Sequence, residues 1–156
     1  MALLRDHRIA YKLDIVGEDT LGGRVQAAAR KSGLVDQITF HGFLEQKRLR
    51  PLLEDAHLLV MTSRHEAGPA VLMEAALAGV PTVGTSVGQI AEWAPDVAVA
   101  VAPGDAAGIA REIMALLADE DRRIALATLA GQRASAEDAD WTAECVERIY
   151  QEMGSE

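Results

Sequence analysis

The sequence predicts an α/β fold, a doubly wound parallel sheet with helices on both faces. Five short apolar runs of strand length recur along the chain, helical patterns separate them, and glycine or proline punctuates the joins. A strand, helix, strand, helix order of this kind implies parallel pairing through right-handed crossovers.

Lys12 to Val16 reads as the first strand and ends at Gly17. Leu21, Val25, Ala28 and Ala29 mark a helix, which Gly33 followed by apolar Leu34 should terminate. Gln37 to His41 and Leu58 to Thr62 are the next strands. Pro69 suits the first position of a helix, because an amide there would lack an intrahelical partner anyway. Val71, Met73, Ala75 and Leu77 belong to that helix, closed by Gly79 and Pro81. Thr82 to Gly84 and Val97 to Val101 complete the strands. Asp105 is placed to cap a helix with Ile109, Ile113, Leu116 and Leu117 on one stripe. A helix pair follows, with Ala134 to Ala139 as the expected loop, Asp140 as the cap of the last helix, and Trp141 and Tyr150 anchoring that helix to the body.

Residues 1–156 are read as a single domain, with no repeat, low-complexity tract or interdomain linker. Hydrophobic residues make up 49% and aromatics 4%, so the core must be aliphatic and alanine-rich. A formal charge of -9 argues against a general nucleic-acid or anionic-membrane surface, and any phosphate must be held locally. Cys145 is the one cysteine, which excludes an intrachain disulfide and fits a reducing cytoplasm, the expected location. It reads as a packing residue of the terminal helix. No apolar stretch approaches the roughly 20 residues of a membrane span, and the N-terminus has no signal-peptide core.

The chemistry is concentrated in "RHEAGPAVLMEAALAGVPTVGT", where Glu66 and Glu74 stand eight apart around Gly68-Pro69. Behind Pro69, the amides of Ala70, Val71 and Leu72 would point from the positive end of a helix, a natural place for phosphate. Two carboxylates would repel that phosphate but can accept hydrogen bonds from vicinal hydroxyls. A sugar nucleotide carries both parts. Taken alone, a loop Glu and a helix Glu are ordinarily solvated or capping residues, so the strand-loop-helix setting is what gives the pair its meaning. In an open parallel sheet ligands bind beyond the carboxyl ends of the strands. Gly17, Ser63 to Gly68 and Thr85 to Gln89 all follow strands on that edge. Gly88-Gln89, leading toward Glu92, offers a second amide-rich terminus there. His65 beside Glu66 is either a substrate contact or an exposed loop histidine. In His41-Gly42-Phe43, Gly42 would let a flat base approach the backbone, or the three form a tight turn with Phe43 in the core.

Other motifs fail on their own residues. "GEDTLGGR" has Gly23 where a phosphate loop needs lysine and Arg24 where it needs Ser/Thr, and no G-x-G-x-x-G follows any strand. Asp138 and Asp140 form a D-x-D in a polar loop before a helix, which suits capping better than metal binding. His7, His41, His57 and His65 have no ligand spacing with one another or with Cys145, so no metal site is expected.

From about Lys12 to Tyr150 the chain resembles the nucleotide-sugar-binding, C-terminal half of retaining glycosyltransferases of the GT-B fold, group 1 (family 4), a Rossmann-like domain. "LDIVGE" is similar to the family's strand and glycine turn and "ITFHGFL" to its base-side strand. "HLLVMTSRHEAGPAVLMEAALAGVPTV" is similar to its E-x7-E block, with "TSVGQIAEW" and "VAPGD" following in order. The resemblance implies that Glu66, matching the first acid of the motif and assigned as the catalytic residue, meets donor-sugar hydroxyls, in recognition before nucleophilic attack. Glu74 would hold the ribose diol. Gly68, Pro69, Ala70, Val71 and Leu72 would meet sugar and diphosphate, together with Ser63 and His65. His41, Gly42 and Phe43 would lie near the base, while Gly17 and Gly88 keep the cleft open. It further implies transfer with retention, a UDP- or GDP-hexose as substrate, and no cofactor or metal.

The chain departs from the pattern in three places. Ala67-Gly68-Pro69 replaces the commoner Gly-aromatic-Gly, and Gln89 stands where a second glycine is usual. The family's phosphate-neutralising Arg and Lys precede this sequence, and Arg5, Arg8 and Lys12 do not match them. The N-terminal acceptor domain and the first strand of this domain are therefore expected to be absent, leaving a donor-binding domain inactive alone. A sugar or lipid-linked acceptor would meet the missing half, and the open cleft face could self-associate. The alternative is a stand-alone nucleotide-binding or scaffold domain that kept the fold without transfer chemistry. Sugar-nucleotide epimerisation is a weaker third reading, since no catalytic acid/base set for it can be placed.

Overall fold

The structure, a computed structural model, describes residues 1–153. Helix α1 (Ala2–Asp6) leads into strand β1 (Leu13–Val16), followed by α2 (Arg24–Lys31), a 3-10 turn (Val35–Gln37) and β2 (Ile38–Gly42). Then come α3 (Gln46–Glu54), β3 (Leu59–Met61), α4 (Ala70–Leu77), β4 (Thr82–Thr85), α5 (Gly88–Trp93) and β5 (Val99–Val101). Three helices close the described chain: α6 (Ala106–Ala118), α7 (Glu120–Ala136) and α8 (Ala139–Met153). All five expected strands are present and every pair is parallel.

The sheet is not continuous. β1 pairs with β2, and β3, β4 and β5 pair in that order, as two separate hydrogen-bonded groups. In folds of this class ligands bind beyond the carboxyl ends of the strands.

Glycine ends α4 by a defined mechanism. Gly79, at φ +75°, donates to Ala76 O at 3.1 Å, and Val80 N reaches back to Ala75 O at 2.8 Å. This is the paired 6→1 and 5→2 closure that a left-handed residue permits. Gly33 and Leu34 end α2 in the same way, on Arg30 and Ala29. Helix α2 starts at Arg24, so Leu21 lies before it and is exposed.

The core is aliphatic on both faces, as the composition demands. Leu4, Val83, Val99, Ile109, Ile113 and Leu116 form one cluster under α1 and α6. Leu72, Ala76, Ile90, Trp93, Ala130 and Ala134 form another where α4, α5 and α7 meet. Arg133 lies 5.7 Å from the Trp93 ring centroid, closing that cluster with a cation–π contact.

Asp105 caps α6, its carboxylate accepting from Gly108 N at 2.7 Å. Asp105→Ala should lower stability by about 1 kcal/mol, read as a lower denaturation midpoint with an unchanged slope.

The C-terminal helices differ from expectation. α7 runs to Ala136, so the interruption is Glu137–Asp138 rather than a loop over Ala134 to Ala139. Asp138, not Asp140, is the cap, accepting from Trp141 N at 2.9 Å, because the carboxylate must sit three residues before the amide it serves. Trp141 and Tyr150 do not anchor α8: they are 44% and 71% exposed, and Ile149 and Met153 are exposed beside them. α7 rather than α8 packs on α4. Among the described residues, no helix is long and apolar enough to cross a membrane.

Candidate functional site

Glu66 lies in the loop that leaves β3, and a chain of contacts from β4 and α5 fixes that loop. Thr85 Oγ1 donates to Ser63 O at 2.5 Å, and Ser63 Oγ donates to Glu66 Oε2 at 3.4 Å. Thr85 is 3% exposed and Ser63 and Glu66 are half-buried, so these bonds work in a poorly hydrated setting. Gln89 N then donates to Ala67 O at 2.8 Å.

Gly88 is the tightest point. Its φ is +49°, and a β-carbon built on it would lie 2.2 Å from Glu66 O and 2.3 Å from Ala67 O. The two loops touch backbone to backbone, and only glycine permits that approach. Gly88 therefore serves as a close backbone contact with the Glu66 loop. Gln89, standing where the family commonly has glycine, reaches Met73 Sδ with its Nε2 at 3.4 Å. A β-carbon on Gly68 would lie 3.5 Å from Gln89 Oε1.

Two details of the amide-rich termini change. Pro69, with φ −71° and ψ 123°, precedes the first helical residue of α4 instead of occupying it. Its carbonyl accepts from Leu72 N at 2.9 Å, and Leu72 is fully buried, so Leu72 supplies packing and not a free amide. Ala70 and Val71 remain in the first turn, whose amides have no intrahelical acceptor. At α5 the Gln89 amide is engaged by Ala67 O, which docks the second terminus against the Glu66 loop.

On the other group of strands, Gly17 N donates to Gly42 O at 2.8 Å, joining the carboxyl ends of β1 and β2. Gly42 takes φ +66°, and Phe43 behind it is 71% exposed, so the alternative of a core Phe43 is overturned. An exposed aromatic at this edge leaves a free π-face. His41 is less available than the sequence suggested, since its Nε2 lies 2.6 Å from Asp14 Oδ1 on the neighbouring strand. Gln46, opening α3, donates through Nε2 to Glu74 Oε1 at 3.2 Å. That bond ties the Phe43 side of the edge to α4.

Gly17 and Gly42 meet at the ends of β1 and β2, next to Phe43 in the chain, and Ser63, Glu66, Gly68, Gly88 and Gln89 form a second group, while Glu74 of α4 is bonded to Gln46 of α3. Arg64 is a residue that reasoning from the sequence passed over. With His65, Pro103 and Gly104 it lines a shallow depression of about 260 Å³ between the Glu66 loop and the loop after β5. Its signal was a cation adjoining the E-x7-E block in a chain of charge -9. Asp138 is occupied as a helix cap, which is what its loop position favoured.

The profile of the glycosyl transferases group 1 family matches residues 1–119. This chain belongs to the group 1 glycosyltransferases. It is 34% identical over 131 residues to a glycogen synthase of Mycobacterium tuberculosis, a match covering 83% of this chain and 31% of that protein. The chain spans about a third of the length of the curated relatives it matches first. Among solved structures, sucrose-phosphate synthase from Thermosynechococcus elongatus superposes with a TM-score of 0.83 at 22% identity, over 99% of this chain and 41% of that one. Anabaena HepE, solved in complex with UDP, gives 0.77 at 22% identity over 94% and 41%. The fold of this glycosyltransferase chain is the Rossmann-like C-terminal half of a GT-B architecture.

Proposed function

We propose that this glycosyltransferase chain binds the donor, a nucleotide-activated hexose such as a UDP- or GDP-hexose, for transfer with retention. The observation that carries the reading is the arrangement at α4. The first amides of α4 follow Glu66, which is hydrogen-bonded by Ser63, and precede Glu74, which is hydrogen-bonded by Gln46, and this pairing supports the reading. The diphosphate fits the helix terminus, where fixed dipoles would stabilise charge developing on the leaving phosphate oxygen. Glu66 accepts hydrogen bonds from the hexose, and Glu74 accepts them from the ribose diol. Phe43 offers a face for the base. His65 and Arg64 border the donor, Arg64 as a local cation. The UDP held by HepE supports this choice of ligand class. The sugar nucleotide is the substrate, and no separate cofactor takes part. The acceptor, a sugar or a lipid-linked sugar, would meet a partner domain outside this chain, which alone would be inactive. The working compartment is the cytoplasm, where nucleotide sugars and reduced thiols coexist.

Titration calorimetry and NMR with UDP, GDP and UDP-glucose test the reading. An open site should bind at about millimolar Kd, roughly 4 kcal/mol. Glu74→Ala should weaken binding about ten- to a hundredfold, the loss of charge-assisted hydrogen bonds worth roughly 1.5–3 kcal/mol. No response to any of the three, with Glu74→Ala behaving like the parent chain, overturns donor binding and favours a scaffold role.

A further inference from the structure

We propose that Arg64, His65 and Gly104 form a subsite for an anionic substituent, a carboxylate or a phosphate, on the sugar that lies beside Glu66. The presence of that sugar rests on the donor reading above, and the anion chemistry rests on the side chains themselves. With Pro103 the three residues line a depression of about 260 Å³ between the Glu66 loop and the turn after β5. Arg64 and His65 directly precede Glu66 in the chain. A hexose whose hydroxyls meet Glu66 therefore has the depression at its side.

Charge singles out this place. The chain carries a formal charge of -9, yet Arg64 is the one Lys or Arg in the segments that leave β3, β4 and β5, residues 62–69, 86–87 and 102–105. The arginines of α6 and α7, Arg111, Arg122, Arg123 and Arg133, each pair with a carboxylate. Arg64 is exposed and pairs with none among the described residues. The neighbouring acids are engaged elsewhere. Asp105 accepts from Gly108 N at 2.7 Å as the cap of α6 and lies 3.6 Å from Arg111, while Glu66 Oε2 accepts from Ser63. The guanidinium thus keeps its donors for a ligand.

The turn after β5 supplies a second donor. Asp105 N donates to Ala102 O at 3.0 Å around Pro103 and Gly104, and Gly104 takes φ +89°, the proline and left-handed glycine of a type II turn. Gly104 N itself donates to no acceptor among the described residues, and a β-carbon there would meet nothing within 4 Å, so the space beside it is open. His65 adds an imidazole N–H. A guanidinium grips a carboxylate or phosphate through two parallel charge-assisted bonds, whereas a neutral hydroxymethyl group offers one uncharged oxygen. The depression therefore discriminates by charge. The charged group belongs either to the donor hexose, as in a uronate, or to the acceptor sugar.

Calorimetry and amide NMR on the 156-residue chain and on its Arg64→Gln variant test this with UDP-glucuronate, UDP-glucose and glucose 6-phosphate. With the anion on the donor, UDP-glucuronate binds about tenfold tighter than UDP-glucose, and Arg64→Gln brings the ratio of affinities to about one. With the anion on the acceptor, the two donors bind alike, and glucose 6-phosphate shifts the Gly104 amide of the parent chain loaded with UDP-glucose but not that of Arg64→Gln. No discrimination in either arm, or discrimination that survives Arg64→Gln, overturns the subsite. Glucose 6-phosphate added without nucleotide separates the two proposals. A Gly104 shift that requires Arg64, with no response to either UDP-sugar, upholds the subsite and overturns donor binding. UDP-sugar binding without any preference for charge does the reverse.

Discussion

Gly88→Ala is expected to destabilise the chain by about 3 kcal/mol and to abolish donor binding in the molecules that still fold. Two costs add. An alanine held at φ +49° pays roughly 1–2 kcal/mol for the left-handed conformation. Its methyl would also sit 2.2 Å from Glu66 O and 2.3 Å from Ala67 O, backbone atoms that cannot rotate away. Such overpacking costs roughly 1–3 kcal/mol. The relief available is to push the Glu66 loop outward, which breaks the Gln89 N to Ala67 O bond and draws Glu66 from Ser63. A denaturant midpoint measures the first effect and UDP titration of the folded fraction the second. A variant with parental stability and affinity would show that the contact is not what positions Glu66.

Leu72→Ala should cost about 3–4 kcal/mol, near the middle of the range for a fully buried leucine. The surroundings argue against a smaller value. Leu72 is 0% exposed and packs in a cluster containing Ala76, Ala98, Ala130 and Ala134, whose short side chains cannot reach into the space it leaves. Met61 and Met73 pack against the same cluster, and partial filling by these flexible side chains sets the lower end of the range. For a domain of this size each kcal/mol lowers Tm by roughly 2–4 °C, so a drop of about 6–16 °C is expected. Leu72→Met, which conserves volume, should recover most of it. The two variants separate packing from the amide: both keep the Leu72 N to Pro69 O bond, so a binding loss confined to the alanine variant reports displaced packing under α4.

Much of this was legible from one dimension. The five strands, the glycine stops at Gly33 and Gly79 and the Asp105 cap depend on near neighbours, and they appear where the local pattern put them. The ordered family motifs likewise led to the family that the profile match shows. The misreadings have a common cause. A helix terminus leaves amides unpaired in general, so the sequence alone presents Leu72 N as free, but the turn at Pro69 engages it. The partner of His41, Asp14, stands 27 residues earlier on the neighbouring strand, where no local pattern points to it. Trp141 and Tyr150 are expected in the body because aromatics usually bury, yet they are 44% and 71% exposed.

By itself, then, the sequence determined the fold class, the run of elements and the residues gathered at one edge, because strand period, helix period and capping are set within a few positions along the chain. Only the tertiary structure decided that Gly88 is a spacer, that Gln46 holds Glu74, that Phe43 faces outward and that the sheet stands in two parts. Each of those is a contact, or a missing contact, between segments far apart in the chain. Their partners are chosen by how the layers pack, and no local pattern carries that choice.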